Sequence, residues 1–155
     1  MNCRIIDIHT HIYPVALARR AMEVTGHEND DFKKLPIREN LLARMQEAGV
    51  DISVNLPVVS KPQNQGEVNR FAKEAARKNI ISFGGLHPDC ENVIEELEKL
   101  KDMEMVGIKF HPPFQKVNLE DPKYEEMWRK INELGFPVLI HMGTARIVRP
   151  YDLYP

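Results

Sequence analysis

Cysteine is scarce in this sequence: Cys3 and Cys90 are the only two in 155 residues, and they lie far apart. That spacing excludes a disulfide scaffold and a CxxC redox motif. Two isolated thiols, expected to be buried and inert, suit the reducing cytoplasm. An excess of charge of either sign is also missing, with 21 Lys and Arg against 23 Asp and Glu and a formal net charge of -2. No basic stripe is available to hold a phosphate backbone or anionic lipid. The expected partner is therefore a small-molecule substrate, with no nucleic acid and no membrane. The opening MNCRIIDIHT enters a strand at once, without a basic leader and apolar run ahead of a cleavage site. No Gly-rich phosphate loop follows that strand.

What is present is enough apolar material for one substantial core: 43% of the residues are hydrophobic and 28% charged, which fits one ordered domain, residues 1–155. Five short apolar, β-branched runs read as strands: CRIIDIH from residue 3, DISVNLP from 51, NIISFGGL from 79, MVGIKF from 105 and FPVLIHMG from 136. Helical patterns separate them. In NQGEVNRFAKEAARKN, Val68, Phe71, Ala72, Ala75 and Ala76 make one apolar stripe. From Asp121 to Gly135 an N-cap aspartate, Pro122 at the first helical position and a closing glycine bracket a helix whose Tyr124, Met127 and Trp128 read as core. Ile37 to Ala48, closed by Gly49, and Pro88 to Leu100 complete the set.

Strand then helix, repeated through the chain, implies parallel strands joined by right-handed crossovers. The first connection is longer than the others and contains the polar GHENDDFKKLP, a segment able to act as a lid. Five units suit a complete doubly wound sheet in this length, whereas an eight-unit barrel needs about 250 residues. Length alone favours the smaller sheet, so the strand ends must decide.

Alternation along the first strand puts Asp7, His9 and His11 on one face and Ile6, Ile8 and Thr10 on the other, so both imidazoles can reach one ion, with Asp7 as their support. His141 follows the apolar PVLI, again at a strand's carboxyl end, where α/β proteins bind ligands. Three neutral nitrogen donors suit a divalent metal, zinc first among them, with an open position for an activated water. In GIKFHPPF, Lys109 and His111 share the face opposite Ile108 and Phe110. An ammonium cannot ligate a metal, so Lys109 is either a substrate-carboxylate partner, a carboxylated lysine bridging two ions, or half of a salt bridge inside the sheet. His111 either binds substrate or anchors the Pro112–Pro113 loop. Asn55, with Ser53, alternates inward at the end of the second strand as a polar substrate contact. His87 in GLHPD braces its turn, and His27 sits in the polar first loop without a fixed position.

Taken in order, DIHTHIYP, GLHPD, GIKFHPPFQ with DPKYEEMW downstream, and GFPVLIHMG resemble the amidohydrolase-related family, whose members include aminocarboxymuconate-semialdehyde decarboxylase. The resemblance covers all 155 residues and implies the first five βα units of a TIM-type (β/α)8 barrel. It implies metal ligation by His9, His11 and His141. The activity it implies is hydrolysis of a small carboxylate-, amide- or ester-type substrate by metal-activated water, or else nonoxidative decarboxylation. The family's later histidine and its catalytic aspartate would follow strands six and eight, beyond Pro155, and the closing RIVRPYDLYP reads as a loop leading onward. A missing C-terminal half or a homo-oligomer partner is thus expected. TatD-type nucleases share the His-x-His start but place a glutamate where this chain has Lys109, and PHP phosphoesterases carry more histidines and acids. A carboxylated Lys109 resembles a dihydroorotase-like binuclear site. The competing class is a noncatalytic five-strand α/β binding module with structural histidines.

Overall fold

Strand order decides the architecture. In the computed structural model, which describes residues 3–24, 27, 29 and 31–142, β1 (Ile6–Thr10) pairs in parallel with β2 (Ile52–Asn55), and β2 with β3 (Ile80–Ser82). β4 (Gly84–Gly85) pairs in parallel with β5 (Ile108–Phe110), and β5 with β6 (Val138–Ile140). β3 and β4 are one strand handed from one neighbour to the other at Phe83. Its N–H donates to the Asn55 carbonyl at 3.0 Å, and the next N–H, of Gly84, donates to Gly107 at 2.8 Å. The strands therefore run in sequential order around a curved parallel surface. A doubly wound sheet would place its first strand between the second and third. Here the first strand takes an edge, as a barrel segment requires.

Helices fill the connections: α1 (Val15–Val24), α2 (Arg38–Ala48), α3 (Gln65–Ala75), α4 (Val93–Asp102), the short α5 (Pro112–Gln115) and α6 (Glu125–Glu133). α2 stops where expected, at Gly49 in the left-handed conformation with φ 70°. Asp121 accepts the Lys123 N–H, and a 3-10 turn at Pro122–Tyr124 leads into α6. The Pro88 to Leu100 helix is shorter than the sequence suggests. It begins at Val93, because the Cys90 N–H bonds to the His87 carbonyl and the Asp89 N–H to the His87 ring, which holds the preceding residues in a turn.

The largest core lies under β4 and β5, where Leu86, Ile108 and Phe110 meet Leu97 and Leu100 of α4 and Met127 and Ile131 of α6. Gly107 permits close packing there, since a Cβ at that position would stand 2.5 Å from the Phe83 ring and 2.7 Å from the Pro137 carbonyl oxygen. A second cluster joins Ile12, Met45, Ala75 and Ile80. The long first connection is not simply a polar loop. Ala18 and Met22 of α1 pack with Leu35 and Ile37 in a small core of their own. Gly26, Glu28 and Asp30 of that connection lie outside the described residues, as do Gly143 and RIVRPYDLYP.

One expectation is corrected. Cys3 is exposed rather than buried, because it precedes the edge strand and no described element packs over it, while Cys90 is half-buried. No helix among the described residues is long and apolar enough to cross a membrane.

Candidate functional site

The carboxyl end of β1 carries a device that alternation cannot show. Asp7 aligns with Ser53 but Thr10 with Asn55, so β1 uses three steps where β2 uses two. This one-residue bulge frees the His9 N–H from the ladder, and the Asp7 carboxylate accepts it at 3.0 Å. Asp7 thus braces the backbone under His9 rather than bonding an imidazole, although its charge does act on the His9 ring.

Beyond the bulge, three bonds tie the chain to β2. The Thr10 hydroxyl donates to the Val54 carbonyl (2.9 Å), the Ile12 N–H to Asn55 Oδ1 (3.2 Å), and His11 Nδ1 to the Leu56 carbonyl (2.7 Å). A carbonyl only accepts, so His11 Nδ1 carries the proton and Nε2 presents its lone pair. That lone pair faces His9 Nε2 at 3.2 Å. Two nitrogens facing each other at this distance need a proton or a cation between them. Nitrogens about 2.0–2.1 Å from a shared zinc ion and 3.2 Å from each other subtend about 100° at it, near the tetrahedral value. The pair therefore fits a divalent ion, with the outer bond to Leu56 fixing the tautomer.

His141 follows β6, its N–H bonded to the Phe110 carbonyl at 3.0 Å. Its ring stacks on His111 (centroids 4.0 Å apart, planes 9°), and His111 stacks in turn on Phe114 (4.1 Å, 7°). Among the described residues no three His, Cys, Asp or Glu side chains are arranged to hold an ion. The structure brings His9 and His11 together and places His141 within electrostatic reach of both.

Lys109 stands amid these rings, only 1% exposed, and among the described residues its Nζ has no hydrogen-bond partner and no ion pair. The salt-bridge reading of Lys109 is thereby excluded among those residues. Burial pushes its pKa down to about 8. The imidazoles move the same way. Burial, opposed by the Leu56 bond and helped by nearby positive charges, pushes His11 down to about 4. Burial followed by the charges of His141 and Lys109 pushes His111 down to about 3. His9 and His141 are lowered first by burial and then by Lys109. All four rings are held neutral near pH 7, which is the ligating form.

Asn55 is buried, with Oδ1 on the Ile12 N–H and Nδ2 on the Ser82 hydroxyl, so its amide ties β1 to β3. His87 is buried and its ring Nδ1 accepts the Asp89 N–H, the bracing role expected of it. His27 is exposed. Three amides escaped the sequence reading. Gln115 accepts the His111 N–H and donates to the carbonyls of Val59 and Leu86 (2.9, 3.0 and 2.6 Å). Asn69 clasps both backbone groups of Gly85, and Gln65 accepts the His87 N–H. Gln65 and Asn69 are four residues apart on the buried face of α3. Two polar residues at helical spacing beside an apolar stripe were the available signal.

A family model described as amidohydrolase matches residues 6–154. The chain belongs to the amidohydrolase family. No curated protein matches it in sequence. Among solved structures, its fold is similar to apo IDCase from Metarhizium anisopliae, with TM-score 0.70, 12% identity, 90% of this chain and 50% of that one. It is similar also to 5-carboxyvanillate decarboxylase LigW from Sphingomonas paucimobilis (TM-score 0.68, 15% identity, 98% and 57%). 2,6-Dihydroxybenzoate decarboxylase from Rhizobium gives TM-score 0.65 at 20% identity, over 98% and 54%. This amidohydrolase-family chain spans about half the length of those structures, and at these identities the likeness is one of fold: its parallel βα units are part of a TIM-type barrel.

Proposed function

We propose that the chain carries the metal-binding part of a divalent-metal-dependent enzyme, a nonoxidative decarboxylase acting on a small carboxylate. The observation that carries this is the convergence of His9 and His11 Nε2 at 3.2 Å with the His11 tautomer fixed by Leu56. Zinc suits two or three imidazoles, and His141 would be the third donor. The ion supplies Lewis-acid polarisation of a carbonyl or carboxylate, useful either to decarboxylation or to hydrolysis by activated water. The chain's own residues do the rest. Asp7 and Leu56 hold the two rings in register, Asn55 ties the end of β1 to β3, and Lys109 and His111 face the substrate. Two of the structural neighbours, 5-carboxyvanillate decarboxylase and 2,6-dihydroxybenzoate decarboxylase, favour decarboxylation. Hydrolysis of an amide or ester is the second reading, supported by the family's own description.

The remaining strands belong to this proposal. Ile6 and Ile8, on one face of β1, are 51% and 65% exposed, as a sheet face without a covering helix would be. A C-terminal half or a partner chain would cover them and supply the catalytic aspartate. A reducing, cytoplasmic setting fits the two free cysteines. Elemental analysis after growth in zinc-supplemented medium is expected to find about one ion per chain, lost in His9→Ala and in His11→Ala and reduced in His141→Ala. Metal-free wild-type protein sinks the reading. CO2 release from aromatic carboxylates by the completed barrel, measured against hydrolysis of amide and ester analogues, separates the two chemistries.

A further inference from the structure

The interior of the strand layer leaves three buried polar atoms without partners among the described residues: Ser53 Oγ, Lys109 Nζ and His111 Nδ1. Two of them, Lys109 and His111, are two residues apart at the end of β5. The Lys109 residue is 1% exposed and that of His111 6%. An ammonium removed from water without a counter-charge is among the costliest things a fold can contain. β5 nevertheless presents one, beside four imidazoles and with no described carboxylate bonded to it. Its neighbours Ile108 and Phe110 are anchored in the main core, so β5 holds the lysine in place rather than letting it swing to solvent.

We infer that Lys109 Nζ, with His111 Nδ1 as second donor, is a preformed seat for one carboxylate of the substrate, separate from the His9–His11 pair. This deepens the function proposed above and rests on it. One buried ammonium balances one negative charge, which matches a carboxylate and leaves a phosphate dianion half uncompensated. His111 is held for the task. Phe114 and His141 sandwich its ring, and Gln115 accepts its backbone N–H. Because the seat is organic rather than metallic, it persists when the ion is stripped.

The test is calorimetric titration of benzoate into the full chain after chelation, alongside Lys109→Met, Lys109→Gln and His9→Ala. The seat predicts that both Lys109 variants weaken benzoate binding at least tenfold while His9→Ala stays within about twofold. The Lys109 variants should melt no lower than wild type, since replacing an unpaired buried charge relieves the fold. Equal benzoate binding by wild type and both Lys109 variants overturns the inference. So does tighter binding of inorganic phosphate than of benzoate, or a 44-Da adduct on Lys109 from CO2, which would give the amine a covalent occupant. Failure of the metal analysis with benzoate binding intact would remove the metal reading and leave the carboxylate seat standing.

Discussion

β5 and β1 are both strands of the same parallel layer, and both carry residues of the candidate site, yet their surroundings are opposite. Every residue of β5 is buried, and Phe110 packs edge-on against Trp128 with ring centroids 5.4 Å apart. In β1 only Thr10 is half-buried and the other four residues are exposed. Lys109 and His111 therefore stand on a rigid wall, whereas the His9 backbone is held by Asp7 at the bulge and the His11 ring by the Leu56 carbonyl just after β2. The site is thus preorganised on the β5 side and more openly exposed on the β1 side.

Three measurements can break or sharpen that contrast. The largest effect belongs to the core: Phe110→Ala should destabilise by about 3–5 kcal/mol in denaturant titration, and Ile8→Ala in the same chain by under about 0.5 kcal/mol. In a barrel completed as proposed, the cost of Ile8→Ala should rise to about 2 kcal/mol. Similar costs at both sites in the 155-residue chain would erase the distinction.

Next is Gln115→Leu, which leaves two carbonyls and the His111 N–H without their partner. A loss of about 3 kcal/mol is expected, together with weaker benzoate binding. A change below about 1 kcal/mol would show that the wall does not depend on this amide.

The third measurement is of pH dependence. His11 and His111 have folded pKa values of about 4 and about 3, below the ordinary 6.5. Between those values and 6.5 the unfolded chain binds more protons, so stability rises with pH across that window and falls on acidification. In the metal-free protein, urea midpoints should drop from about pH 6.5 towards about 4, and His111→Phe should flatten the drop. A profile that is level, or that rises on acidification, contradicts the burial of these rings.

Much of this was legible in the residues. Period-two alternation and helical stripes place five strands and the four helices between them. The terminators Gly49 and Gly135 stand where helices end, and parity sends Lys109 to the face opposite Ile108 and Phe110. The bulge in β1 was not legible, because a register shift depends on the partner strand and on an Asp7 side chain taking the orphaned His9 N–H. Gln115, Asn69 and Gln65 were missed for the same reason. Their long-range partners lie 16 to 56 residues away, and the helical spacing of Gln65 and Asn69 marks a polar face without showing what it bonds.

What the sequence determined by itself was the alphabet of the site: a His-x-His on the first strand, a lysine and a histidine facing inward on the strand at 105, and a histidine after the last. These follow from side-chain alternation, which is local. Tertiary structure alone decided that the strands run in sequential order, that His11 Nδ1 is spent on Leu56, that His141 stacks on His111, and that the Lys109 ammonium has no counter-ion among the described residues. Each of those depends on which backbone group or ring a distant segment brings alongside.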